Sequence, residues 1–137
     1  MNKTGQEIED DVYLLLKNSN TETFIKGGIY QHGDRPYESK EEDAVIKFVA
    51  GLSDASPQTG IVVINIFTHD NKIKEGFYSK NTVRCREIEK EAKKWVDTLD
   101  TIPTDYAFYL AQTIQTFPEE AIHQHFVSIR LKYKLVT

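Results

Sequence analysis

Apolar and polar positions change their period several times along this chain, and each change marks an element. Ile8, Val12, Leu15 and Leu16 recur at helical spacing. Ahead of them Thr4 and Glu7 form a capping-box pair, which satisfies two amide donors at a helix start. The spacing predicts a helix ending near Asn18. A short turn with Phe24 and Ile25 follows, stopped by Gly27-Gly28. Ile29-Tyr30 then reads as a brief extended piece before the loop Gly33-Asp34-Arg35-Pro36.

From Asp43 to Leu52 the period becomes two. Ala44, Ile46, Phe48, Ala50 and Leu52 fall on one face, and Asp43, Val45, Lys47, Val49 and Gly51 on the other. Ser53-Asp54-Ala55-Ser56-Pro57 is turn chemistry, from which a strand Gln58–Thr68 returns. That strand is β-branched and almost wholly apolar, interrupted only by Asn65, which predicts a central position in a sheet. His69 to Asn81 reads as a long charged loop carrying Phe77 and Tyr78. A helix is predicted from Thr82 to Leu99, with Cys85, Ile88, Ala92, Trp95, Val96 and Leu99 as its buried stripe and Glu89 paired to Lys93.

Thr104–Phe117 fits both periods in part. Its aromatic residues and threonines favour a strand. Pro118-Glu119-Glu120-Ala121 makes the next turn, and Gln124 to Tyr133 alternates cleanly as a last strand. The succession predicts a single α+β domain over residues 1–137. It has two layers, with a mainly antiparallel sheet of four to five strands and two helices on one face. Leu15, Trp95 and Ile64 are expected to meet in a common core.

Composition narrows the function more than the fold. The chain has 137 residues, 17 basic and 21 acidic, for a net charge of −4, so no global field recruits nucleic acid. One cysteine cannot form an internal disulfide, which points to a reducing compartment. No basic-then-apolar leader is expected, and no apolar run approaches the ~20 residues that span a bilayer.

Candidate chemistry is sparse. His123 and His125 stand two apart on a strand and would need His32, His69, Asp70 or Cys85 to complete a metal site. The bland alternative is that both imidazoles serve the strand itself. His69-Asp70 resembles the doublet of metal-dependent phosphohydrolases but lacks their further ligands. Cys85 lies near a helix start, where the dipole favours a thiolate, yet on the apolar stripe. Gly27-Gly28 and Gly33 are too few to cradle phosphate. Arg130, Lys132 and Lys134 form a basic row that most simply reads as a solvated face. A restriction-type nuclease needs an Asp and a Glu-x-Lys on adjacent strands. Here Ile61–Phe67 carries no carboxylate, and Glu38/Lys40 and Glu91/Lys93 fall in a loop and on a helix. The expectation is no catalytic residue, no cofactor, no metal and no sequence-specific nucleic acid.

Lys26-Gly27-Gly28-Ile29-Tyr30 after a short helix, then the loop Asp34-Arg35-Pro36, a hairpin, a helix with Trp95 and a closing hairpin ending at Tyr133, resembles phage tail-completion and tail-terminator proteins. The chain departs from that pattern in its charged Glu38–Asp43 run. The resemblance implies a non-enzymatic virion protein of a phage or prophage. It would form a homo-oligomeric ring, typically a hexamer, at the head–tail junction against tail-tube and head-connector proteins. It would assemble in the host cytoplasm and end in the virion. The residues themselves add one point. The sheet face away from the helices still carries Val45, Val49, Ile61, Val63, Phe67 and Phe126, more apolar than a solvated face should be. Val63, Asn65 and Phe67, extended by Phe77 and Tyr78, are therefore the expected self-association surface. The alternative is a small protein-binding module that uses the same face on a different protein.

Overall fold

Thr4 caps the first helix as its spacing predicts. In the computed structural model, which describes residues 2–52 and 57–135, α1 spans Gly5–Lys17. The Thr4 hydroxyl accepts from the Glu7 amide at 3.2 Å, and the Glu7 carboxylate accepts from the Thr4 amide at 3.0 Å. The turn expected around Phe24 is a short helix, α2 (Asn20–Phe24). Then come β1 (Ile29–Gln31), β2 (Ala44–Leu52), β3 (Gln58–His69), β4 (Asn71–Lys74) and β5 (Phe77–Ser79). The long helix α3 (Thr82–Thr98) is followed by β6 (Tyr106–Leu110), β7 (Gln115–Glu119) and β8 (Gln124–Leu135).

The main sheet has six strands where four or five were expected. Its order is β1-β2-β3-β8, with β6 and β7 both pairing β8. Tyr106–Leu110 pairs Leu131–Leu135 and Gln115–Glu119 pairs Gln124–Ser128, so Thr104–Phe117 contains two strands rather than one. All pairings are antiparallel except β1 with β2. The expected charged loop at His69–Asn81 is instead partly a hairpin, β4 on β5, closed at Glu75-Gly76 with Gly76 at φ +80°. Ser53 to Ser56 of the expected turn lie outside the described residues.

The helices pack on one face of the sheet. Ile8, Val12 and Leu16 of α1 and Ile88, Ala92 and Trp95 of α3 are buried against Ile46, Val62, Ile64, Ile66, Ile129 and Leu131. Trp95 is 3% exposed, and its indole N–H reaches the Leu15 carbonyl at 3.5 Å, which brings Leu15, Trp95 and Ile64 into one cluster. On α3 the predicted Glu89–Lys93 pair does not form. Glu89 accepts from the Thr116 hydroxyl of β7 at 2.6 Å, and Lys93 turns to Asp97 at 3.6 Å.

A β-bulge between Phe48 and Ala50 corrects the facing of β2. Ile46 stands opposite Ile64 and Phe48 opposite Val62, but Ala50 stands opposite Ile61 and Leu52 opposite Thr59. One extra residue in the strand flips the pleat. Ala50 and Leu52 therefore join the face away from the helices, and Gly51 takes the core side. There Gly51 and Gly60 are paired beneath the buried Tyr133 ring, and a Cβ on Gly60 would collide with the Tyr133 hydroxyl and the Ala50 carbonyl.

Candidate interaction surface

Two neighbouring acids anchor the edge of the sheet, one on each side of it. Glu42, 5% exposed, turns toward the helices, where the Arg84 guanidinium holds it through Nε at 2.9 Å and a terminal nitrogen at 2.5 Å. The Lys26 amide and the Thr68 hydroxyl complete its partners at 3.1 Å each. Burial would push this carboxyl up, but the arginine and the hydrogen bonds together hold it below the usual carboxylate range. Asp43, 1% exposed, accepts from the Gly28 amide at 2.8 Å, Arg35 Nε at 2.9 Å and the Ser39 hydroxyl at 2.6 Å. Gly27 runs so close to Glu42 and Asp43 that a Cβ there would strike the Glu42 carbonyl.

Arg35 fastens the loop between β1 and β2 onto the helix-free face. Its guanidinium also donates to the Ser39 and Glu41 carbonyls and to Gln124, and lies 4.2 Å from the centre of the Phe67 ring. Phe67 packs at a tilt of 42° against Phe126, and Phe126 stacks on Phe117, with ring centres 5.3 Å and 5.6 Å apart. This aromatic row across three strands closes one end of the face. The tip of the same loop projects away, with Tyr37 92% exposed and Glu38 in the left-handed region at φ +58°.

The rest of the face is crossed by four registered rows, the last of them Leu52, Thr59, Lys134 and Ala107. Val45, Asn65, Ser128 and Gln115 form the first, and Lys47, Val63 and Arg130 the second. Ala50, Ile61, Lys132 and Tyr109 form the third. Val63 is only 8% exposed between two long basic side chains, whereas Leu52 is 63% and Tyr109 55% exposed. Asn65 Oδ1 is buried with no hydrogen-bond partner among the described residues. Val63, Asn65 and Phe67 thus share one face as the alternation predicts. Phe77 and Tyr78 stand apart on the β4–β5 arm. Phe77 is 57% exposed, while Tyr78 stacks on His123 with ring centres 3.8 Å apart. The arginine clasps on Glu42 and Asp43 were missed in the sequence, although the acids precede a strand that had no other reason to begin there.

The two aligned histidines do not converge. His123 lies before β8 with left-handed backbone, against Tyr78, while His125 Nδ1 meets Asp70 Oδ1 at 2.6 Å. Among the described residues no three or more His, Cys, Asp or Glu side chains gather as a metal site. Cys85 is buried on α3, burial pushes its thiol up, and no hydrogen bond joins it to His125 among the described residues. A groove between α1, α2 and α3, with Leu14, Phe24 and Trp95 on its walls, has Glu91 and Lys94 as its charged residues among those described. Among the described residues no helix is long and apolar enough to cross a membrane.

No protein-family model matches this sequence, and no curated protein matches it.

Proposed function

We propose that this chain is a structural protein of a phage or prophage tail, non-enzymatic, that forms a ring at the head–tail junction and completes or terminates the tail. The observation that carries the reading is the bare second face of the sheet. Both long helices lie on the other side, yet this side keeps Val45, Leu52, Ile61 and Tyr109 at least partly open to water. Apolar surface in water costs about 25 cal/mol per Å², and a second subunit recovers that cost. The β4–β5 arm, with Phe77 and Ile73 exposed at 57% and 68%, supplies further area toward a neighbour or the tail tube. A standard interface buries about 1,600 Å², which needs both surfaces.

The test is the assembled species. Light scattering and negative-stain microscopy of the purified protein should show a closed ring, and Phe77→Asp should weaken it while circular dichroism stays native. In an infectious phage that depends on this protein, the same substitution should yield tails that fail to join heads. Normal joining and termination by the variant would remove the arm from the interface. Catalytic turnover would remove the reading altogether.

A further inference from the structure

Charge on this molecule is segregated along one sheet face. Lys47, Arg130, Lys132 and Lys134 all project from the helix-free side of β2 and β8, and none forms an ion pair among the described residues. The chain nevertheless carries a net charge of −4, so its acids are concentrated elsewhere. One concentration is the tip of the β1–β2 loop, where Asp34, Glu38 and Glu41 are exposed beside a single exposed lysine, Lys40.

That tip is braced from within. Arg35 ties it to Asp43, to the Ser39 and Glu41 carbonyls and to Gln124, and the Ser39 amide closes a turn on the Pro36 carbonyl at 3.1 Å. Tyr37 is held out at 92% exposure at little further entropic cost on docking. The tip lies at one end of the face and Lys132 and Lys134 at the other, with Lys47 and Arg130 between them beside Val63. The tip's arginine sits on Phe67, six residues along β3 from Ile61, or about 20 Å at ~3.3 Å per residue.

We infer that the acidic, Tyr37-bearing tip of one copy docks on the basic rows of the next copy's helix-free face. The inference rests on reading that face as a subunit contact and specifies what fills it. Two different patches at opposite ends of one surface give a head-to-tail contact, which closes into a ring when the rotation allows. Glu38 and Glu41 face the lysines, and the Tyr37 ring packs among Leu52, Tyr109 and the Arg130 guanidinium. The exposed apolar side chains between the cations and the net negative charge of the chain favour a protein occupant over a phosphate backbone.

Two charge-reversed proteins test it, each altered only at exposed side chains and checked for native circular dichroism and melting. One carries Lys132→Glu and Lys134→Glu, the other Glu38→Lys and Glu41→Lys. By sedimentation velocity each alone should associate at least tenfold more weakly than wild type. Their equimolar mixture should recover assembly, because native and reversed contacts are both complementary. Wild-type rings that both variants still form with unchanged affinity overturn this contact and leave the ring intact. A wild type that stays monomeric to millimolar concentration overturns both. Loss of duplex DNA binding by the lysine variant, with self-association unaltered, overturns the contact in favour of nucleic acid.

Discussion

Arg84 closes on Glu42 across 42 positions of chain, with Nε and one terminal nitrogen on the two carboxylate oxygens, and that same terminal nitrogen also donates to the Phe24 carbonyl at 3.0 Å. The pair joins the first turn of α3 to the start of β2 and to the end of α2. Both side chains are largely withdrawn from water, at 15% and 6% exposure. Removing one partner from such a pair strands the other. Glu42→Gln should therefore cost about 3 kcal/mol in urea unfolding. A loss under 1 kcal/mol would mean that the pair is solvated.

The same carboxylate sets an acid limit. Its value in the fold lies below the ordinary 4.5, because Arg84 and its hydrogen bonds outweigh burial. A lowered folded value stabilises above the unfolded value, and the gain is lost as pH falls through the folded one. Wild type should lose stability below about pH 4.5 more steeply than Glu42→Gln, and the gap between them should close as pH falls through the lowered folded value. Parallel pH profiles would exclude Glu42 as the source.

Trp95 joins α3 to α1 at the centre of the helical layer, so Trp95→Ala leaves a large cavity. The expected cost is about 3–5 kcal/mol. Tryptophan emission of the folded wild type should be blue-shifted, and a solvent-like maximum would contradict this packing.

The Tyr133 hydroxyl is buried over Gly51 and Gly60 without a hydrogen-bond partner among the described residues, and burial pushes its ionisation up. An unmet buried hydroxyl costs more than a missing one. Tyr133→Phe should raise stability by about 1 kcal/mol in urea unfolding. Destabilisation would reveal a partner for the hydroxyl.

Much of this architecture was legible because local pattern and tertiary need agree. The capping box at Thr4 and Glu7, the stripe of α3 and the alternation of β8 each state one element and its buried side. Val49 hid the bulge, since an extra apolar residue leaves a run that still reads as strand. Thr104–Phe117 read as one strand because both of its segments have strand composition, and only pairing to different stretches of β8 separates them. The β4–β5 arm was written in Lys74-Glu75-Gly76-Phe77, a turn glycine between short strands too polar to register as a sheet. Of the surface residues, Val63, Asn65 and Phe67 follow from parity. The loop that covers Phe67 does not, because Arg35 and Asp43 are eight positions apart in a stretch with no period.

The central place of β8 has a consequence for how the chain reaches this state. It zips to β3 from Gln58 against Leu135 to His69 against Gln124, and it also carries β6 and β7. During synthesis the β2–β3 hairpin emerges long before this partner, with Val62, Ile64 and Ile66 uncovered and one backbone edge open. Such non-local pairing makes for slow folding, and an open edge invites the wrong strand. The nascent chain is thus most exposed to misassembly in the interval between its third strand and its eighth, and a chaperone that holds β3 during that interval would raise the yield of native protein.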